Sequence, residues 1–444
     1  MLVVRQETLT VVARVAGAPP FTALRAALHA LARDRMPGGG ARPRIFAEPA
    51  LGIHFARLVL LEEPSTGELS SSLLFESNFD TAFEDPAEAR FEHLKLLCQT
   101  VLEPLASVFQ HCSGFASDGG AEQLLASLAQ LQTQSSAAYQ GHIDRDLKRI
   151  RLEQHLRDVL LDFFAQVPKA PPRELYHAAR RHVRLQCGSD PQLAGLDLNL
   201  PAPAAPDAAL RSQGLKAGIS AWLENLSSDT VAFVLSQLWN IRRWQEQDPE
   251  YQQRARQEAW SDVERRTFLE IAETEDHALQ NALTHVVPLK GRDRLALLLF
   301  SHGYIDTMAR KHFNEIGQLG GIPTIHFAKW LLIDDNTRLV FFSNYDSSWE
   351  SYLGDFVDRA AIGLNLAWTL TAEYPRTRYL TRLGASDEER FKAWSRAYQR
   401  PTQVFYTAYP ELGIAALNNN TWIRRGLHHP PGAAELRAWF RRLT

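Results

Sequence analysis

Two histidines in this chain occupy the same place in nearly identical apolar segments. His54 lies in IHFARLVLLE and His326 lies in IHFAKWLLID. Alternate residues of a strand share a face, which predicts that His326 lies on one face with Ala328 and Trp330. An imidazole there can act as an acid, a base or a ligand near neutral pH. The other interpretation is a buried histidine that a nearby carbonyl satisfies and that a duplicated ancestor passed on.

A second pair of polar residues follows each histidine segment. LLFESNFD ends with Asn78 and Asp80, and LVFFSNYD ends with Asn344 and Asp346. His326 with Asp346 would make an acid/base pair that needs no cofactor. Asn and Asp at a strand end can also bond the local backbone and cap the next helix, here the one that begins near SSWESYLGDFVD. Both interpretations stay open at this point.

The second copy of the pattern is richer in polar and aromatic residues than the first. His285 stands where the first copy has valine, Lys329 matches Arg57, and Trp330 matches leucine. The predicted helix between these segments adds three more candidates for a site: His302, Arg310 and His312. This asymmetry predicts that one specialised site lies in the second copy.

Three matched segments in one order indicate an internal repeat. LTVVARVAG (residues 9–17) matches LTHVVPLKG (residues 283–291), and the two histidine segments and the two SN(F/Y)D segments follow. Each copy reads as strand, helix, an antiparallel hairpin, helix and a last strand. The last strand is predicted at QVFYTAYPEL in the second copy and, from a weaker match, at SVFQHCSGF in the first. The order β-α-β-β-α-β predicts an α+β class with a ferredoxin-like unit in each copy.

Two linked units of this kind resemble the dimeric α+β barrel superfamily, over residues 1–120 and 281–428. Its members include dye-decolourising peroxidases, chlorite dismutase-like proteins and aldoxime dehydratases, and several bind haem. The resemblance implies two ferredoxin-like repeats packed as a pseudo-dimeric barrel. It also implies a haem-dependent, peroxidase-like oxidoreductase. The implied haem ligands are His326, His285, His312 and His302, with His326 named as the metal ligand, and the implied catalytic residues are Arg310, Asp346 and Asn344.

Outside the two copies the sequence predicts helices. Residues 121–280 read as a helical insert and connector, and residues 429–444 read as a C-terminal helix. Within the insert, VAFVLSQLWNIRRWQ suits a buried helix with a basic end, and its Trp and Arg residues also suit contact with a membrane surface. No segment reaches the length of a membrane-spanning helix.

Composition limits the classes of function. The formal net charge of −3 offers no overall basic character for nucleic acid binding. Three cysteines without CxxC spacing argue against a disulfide framework and fit a reducing, cytoplasmic location. A small-molecule substrate is the expected partner, and the oligomeric state stays open. The alternatives to the peroxidase are a non-catalytic protein that binds a small apolar or lipid-like ligand or a partner protein, and a cofactor-free acid/base enzyme.

Overall fold

The structure is a computed structural model. The residues it describes are 5–19, 21–36, 43–63, 69–115, 120–141, 145–198, 262–291, 295–309, 318–378, 382–428 and 432–443. The chain divides into two compact units. Unit 1 comprises Met1–Ile143 and Ser212–Glu411, and unit 2 comprises Asp144–Arg211 and Leu412–Thr444. Among the described residues, no helix is both long and apolar enough to cross a membrane.

The class is α+β with antiparallel sheets, as the sequence predicted. In the first part of the chain the elements are β1 (Arg5–Arg14), α1 (Thr22–Arg33), β2 (Ile53–Leu61), β3 (Ser72–Thr81), α2 (Pro86–Thr100), α3 (Leu102–Phe109), α4 (Ala121–Gln130), β4 (Ser135–Gln140), α5 (Leu147–Gln166) and α6 (Pro172–Ser189). The later elements are α7 (Asp262–Ala272), β5 (Gln280–Pro288), α8 (Leu295–Met308), β6 (Ile325–Ile333), β7 (Arg338–Asp346), α9 (Trp349–Trp368), α10 (Glu388–Tyr398), β8 (Val404–Thr407), α11 (Ile414–His428) and α12 (Ala433–Arg441).

Unit 1 contains two four-stranded sheets, and each includes one strand from the other part of the chain. One sheet has the order β1-β3-β2-β8 and the other has β4-β6-β7-β5, with antiparallel pairs throughout. Strands β1–β4 form the first half of unit 1 and strands β5–β8 form the second half. The last strand of each half, β4 or β8, pairs with the sheet of the other half and is called the exchanged strand. Just before it does so, the chain forms a β-bridge to the first strand of its own half. Gln132 pairs with Val11, and Gln399 pairs with His285. The hydrogen bonds therefore run round a closed ring of eight strands, which pairs the edges of both sheets.

The repeated histidines are each the extra residue of a β-bulge. The register against the partner strand shifts by one at His54 in β2 and at His326 in β6. The bulged carbonyls accept the exchanged strands: Ala408 N–H donates to His54 O at 2.9 Å, and Gly141 N–H donates to His326 O at 2.7 Å. Bulges re-aim a side chain at a defined place. Here they fix where each exchanged strand crosses.

The weaker of the two last-strand predictions was wrong. The segment SVFQHCSGF, from Ser107, belongs to the end of α3 and the turn after it. The strand of the first half is β4, with the sequence SSAAYQ, inside the range 121–280 that was predicted as a helical insert. Its sequence has no β-branched residue, so its conformation comes from pairing with β6 rather than from propensity.

Apolar side chains fill the space between the sheets. The buried members of this cluster are Val59, Leu61, Leu74, Val286, Leu331, Ile333, Val340 and Phe342. On the other side of the second sheet, Trp330 and Phe341 belong to the cluster that α8, α9 and α10 cover. Alternate residues of β6 therefore pack into two different cores, one between the sheets and one under the helices.

Unit 2 is helical. Helices α5, α6, α11 and α12 pack around a buried cluster that includes Leu156, Val183 and Trp439. Glu153 is buried there, and Arg149 Nε donates to it at 2.8 Å while Arg424 lies 3.3 Å away. The buried carboxylate is therefore charge-compensated within its own unit.

Replacement of Gly141 by alanine should weaken the strand exchange. An added Cβ would collide with Ile325 O and lie 3.1 Å from His326 O. We expect a loss of about 1–3 kcal/mol in the free energy of unfolding, measured by chemical denaturation. Gly303→Ala is the control, because nothing lies within 4 Å of its added Cβ in α8 and alanine favours a helix. Equal behaviour of the two variants would contradict the account.

Candidate functional site

Each repeated histidine contacts a carboxylate at the end of the adjacent strand. His326 Nε2 lies 2.7 Å from Asp346 Oδ1, and His54 Nε2 lies 2.8 Å from Asp80 Oδ1. Both imidazole rings are fully buried. The acid/base pair predicted from His326 and Asp346 is therefore in contact, and an equivalent pair exists in the first half.

The surroundings of the two pairs also correspond. The side-chain amide nitrogen of Gln280 lies 3.4 Å from His326 Nε2, and that of Gln6 lies 3.3 Å from His54 Nε2. Tyr409 OH lies 3.0 Å from His54 Nδ1. Two near-identical, enclosed clusters suit a structural role, which is to hold the bulges that receive the exchanged strands.

The predicted face of His326 was wrong. Ala328 and Trp330 pack in the helix-covered core, whereas the His326 ring lies 5.0 Å from the ring of Phe55 in the first sheet. The bulge inserts one residue at His326, so the two-residue alternation that relates it to Ala328 does not apply.

His285 on β5 is enclosed by aromatic rings. Its Nε2 lies 2.8 Å from Ser395 Oγ, and its ring lies 5.8 Å from Trp368 and 5.7 Å from Trp394. Burial lowers the pKa of His285 to about 3, with nearby Arg396 adding to the effect. The ring is therefore neutral at pH 7.

His302 on α8 has a partner at both ring nitrogens. Nδ1 lies 2.7 Å from Ser136 Oγ, and Nε2 lies 3.4 Å from Ala367 O. Burial lowers the pKa of His302 to about 4. The other two candidates of this region, Arg310 and His312, lie outside the described residues.

Asn344 contacts a cation rather than the backbone of the next helix. Arg57 Nη2 donates to Asn344 Oδ1. Helix α9 is capped by Ser348, whose Oγ accepts from Ser351 N–H at 3.3 Å. The capping role predicted for the strand-end residues Asn344 and Asp346 was therefore wrong, because both side chains are engaged inside the sheet layer.

Three of the four histidines that the resemblance implies as haem ligands are buried and have polar contacts inside the protein. Coordination needs an imidazole nitrogen that faces open space wide enough for the macrocycle. Both nitrogens of His302 are hydrogen-bonded, and Nε2 of His285 and of His326 each face a polar side chain. In the described ranges, no group of three or more His, Cys, Asp or Glu residues could hold a metal ion. Haem binding stays a prediction of the resemblance, and no catalytic step is assigned to it.

The charged groups that meet between the sheets were not predicted as a site. Arg57 Nε donates to Glu76 Oε2 at 3.0 Å, and Lys329 Nζ lies 3.3 Å from Glu76 Oε1. All three residues are buried. Two cations share one carboxylate because the match of Glu76 in the second half is Phe342. The Phe342 ring lies 5.0 Å from Arg57 Cζ and 5.7 Å from Lys329 Nζ.

Both cations also contact the backbone of the opposite half. Arg57 Nη1 donates to Leu283 O at 2.8 Å, and Lys329 Nζ donates to Leu9 O at 3.1 Å. Leu9 and Leu283 are matched residues of the repeat. Lys329 further donates to Thr8 Oγ1 at 2.5 Å. The two contacts link the sheets in corresponding ways.

Burial changes the acidity of the lysine. It lowers the pKa of Lys329 to about 8, and the nearby Glu76 carboxylate opposes the shift. Burial also lowers the pKa of Arg57, which stays protonated because a guanidinium starts from a far higher value. Lys329 is therefore the one of the two cations that can release a proton near neutral pH.

A cavity lies beside Lys329. Its volume is about 10 Å³, which is room for about one water molecule. Its polar lining residues are Thr8, Glu76, Asn78, Tyr139, Gln140 and Lys329. The matching position in the first half carries the longer Arg57, whose guanidinium reaches Leu283 O and Ser343 O. The shorter lysine accounts for the unfilled space.

Comparison with protein-family models, with curated proteins and with solved structures found no match for this chain.

The sequence does carry a signal for the buried charges. Glu76 and Lys329 are charged residues inside strands that otherwise read as apolar. Charged side chains in such places are normally paired with one another.

Removal of Glu76 should be far more destabilising than removal of Lys329. Glu76→Gln leaves Arg57 and Lys329 buried without a counter-charge, which lowers the free energy of unfolding by about 3–5 kcal/mol. Lys329→Met leaves one cation on one carboxylate and should cost about 1 kcal/mol. Urea denaturation measures both. Glu92→Gln, in a partly exposed pair with Lys95, is the control. An equal loss of unfolding free energy at the two positions would contradict the conclusion that Arg57 and Lys329 share the Glu76 carboxylate.

Acid should destabilise the fold through buried neutral histidines. Burial lowers the pKa of His93 and His285 to about 3 from an ordinary 6.5, and that of His302 to about 4. Between the folded pKa values and the ordinary pKa of 6.5, the unfolded chain binds more protons than the folded chain. The free energy of unfolding therefore falls as pH drops from about 6.5 to 4. His93→Gln, beside Ser77, should reduce this pH dependence by up to one proton. Denaturation at several pH values tests it, and an unchanged slope speaks against it.

Proposed function

We propose that unit 1 consists of two ferredoxin-like repeats joined in the manner of dimeric α+β barrels. The support is the recurrence of the same contacts in both halves. In each half a bulged histidine contacts a strand-end carboxylate, and its carbonyl accepts the exchanged strand of the other half. In each half a cation on the strand after the first helix donates to the matched leucine of the opposite half.

The function we propose is the binding of a small polar molecule in the cavity beside Lys329. The observation that carries this proposal is a buried lysine–glutamate pair beside a small cavity whose walls combine polar side chains with the apolar Phe327 and Phe342. Ligand sites combine a concave surface with a few placed polar groups, and perturbed acidity is common in them. The cavity has a volume of about 10 Å³, room for about one water molecule, so a larger ligand would have to displace side chains that line it.

This proposal differs from the functions that the sequence suggested. A cavity with room for about one water molecule is too small for an apolar or lipid-like ligand. His285, His302 and His326 each contact a polar group of the protein. These contacts give no support to a haem-dependent oxidoreductase. The enclosed pair of His326 and Asp346, with its equal copy in the first half, gives a cofactor-free acid/base enzyme no distinct site.

Thermal unfolding with a panel of small carboxylates, amides and carbonyl compounds tests the proposal. A ligand that binds only the folded state raises the midpoint by a few degrees at saturating concentration. Lys329→Arg should abolish the shift, because arginine fits the matching position and fills the cavity. Lys95→Arg is the control, since the Lys95 side chain is 42% exposed.

Two outcomes would overturn the proposal. One is the lack of a shift with any compound, or an equal shift in Lys329→Arg. The other comes from hemin in the same panel. A Soret band that survives desalting and is lost on replacement of His285, His302 or His326 would instead support the oxidoreductase.

A further inference from the structure

The basic residues of the chain are unevenly distributed between the two units. Unit 2 contains sixteen Lys and Arg residues against ten Asp and Glu, whereas the whole chain contains 48 against 51. The formal net charge of −3 therefore combines an acidic unit 1 with a basic unit 2. A basic surface of this kind attracts polyanions even when the charge of the whole chain is close to zero.

Helix α6 of unit 2 carries its arginines on one side. Arg173, Arg181 and Arg184 are exposed, and their spacing of eight and three residues places them along the same side of the helix. We call these three residues the arginine row. Tyr176 and Val183, on another side of α6, are buried in the core of unit 2. That packing fixes the helix and keeps the row at the surface.

The arginine row has no carboxylate within ion-pair distance in the part of the chain that the structure describes. Elsewhere in unit 2 the cations are used internally, since Arg149 and Arg424 contact the buried Glu153. Like charges three residues apart, as at Arg181 and Arg184, weaken a helix. The row therefore reduces the stability of α6 without an offsetting contact, which favours a role in binding.

We propose that the arginine row binds the phosphate backbone of a nucleic acid without reading its base sequence. This inference is independent of the cavity in unit 1. A guanidinium can donate two parallel hydrogen bonds to the oxygens of one phosphate, so arginine is well suited to phosphate contacts. The row extends about 17 Å along the helix axis, which corresponds to about five base-pair steps of a duplex. Its three guanidinium groups can therefore contact phosphates along one strand.

Two features favour a nucleic acid over other anionic partners. A helix that binds a membrane surface places its apolar face in the lipid, whereas the apolar face of α6 is buried in unit 2. Protein partners are normally bound through a surface with an apolar centre. Among the described residues of unit 2, Leu185 is the one large apolar side chain that is exposed. A polar, arginine-rich surface is typical of contact with nucleic acid.

Fluorescence anisotropy with the full-length protein tests the inference. The probes are labelled DNA and RNA oligonucleotides, single-stranded and duplex, each in two unrelated sequences. We expect binding at low salt with equal affinity for the two sequences. Contacts to three phosphates of a duplex predict that the affinity falls about 40-fold when salt rises from about 50 to about 200 mM.

A triple variant with Arg173→Gln, Arg181→Gln and Arg184→Gln should bind at least tenfold more weakly at low salt. It should also lose about three units of the slope of log affinity against log salt, because each lost phosphate contact removes about one. Lysine at the same three positions keeps the charge and should restore the slope. The thermal midpoint of the glutamine variant should equal or exceed that of the wild type, because like charges are removed from α6.

The matched control replaces three exposed arginines of unit 1 that each pair with a carboxylate. These are Arg5, Arg359 and Arg390, all changed to glutamine. The control should bind the oligonucleotides as the wild type does. No change in anisotropy at low salt, or an equal loss of affinity in both triple variants, overturns the inference. Equally tight binding of polyglutamate or of phosphatidylserine vesicles also overturns it, because the row would then suit an acidic protein or a membrane.

Discussion

Two buried cations and the single carboxylate they share organise the interior of unit 1. A charge in a low-dielectric interior is tolerated only when it is paired and hydrogen-bonded. Arg57 and Lys329 meet that requirement by contacting Glu76 and by donating to backbone carbonyls of the opposite half. Each contact depends on the register of both sheets, so a slip of one strand would leave a buried charge unpaired.

The exchanged strands depend on the same register. Each crosses to the opposite sheet where a bulged histidine offers its carbonyl, and the ring of that histidine is held by a carboxylate on the adjacent strand. The histidines thus have a structural reason to recur in both halves. The residues that differ between the two halves lie further along the same strands. Lys329 on β6 faces the cavity, and Phe342 on β7 stands where the first half has Glu76.

The sequence best predicted the segments in which apolar residues alternate regularly. The β2–β3 and β6–β7 hairpins follow from alternating apolar residues and from the repeat itself. Strand β4 could not be predicted, because SSAAYQ becomes a strand only through pairing with a distant part of the chain. The bulge at His326 adds one residue without a sequence signal, so the predicted face was wrong. Glu76 was visible as a charge within an apolar strand, but its partners lie in both halves and only the fold brings them together.

The most direct test of the account is a crystal structure of the protein, compared with that of Lys329→Arg. We predict that Glu76 lies between the two cations and that Lys329 Nζ donates to Leu9 O. In the variant we predict a guanidinium that fills the small cavity beside Lys329. A lysine turned away from Glu76 in the wild type would contradict these contacts.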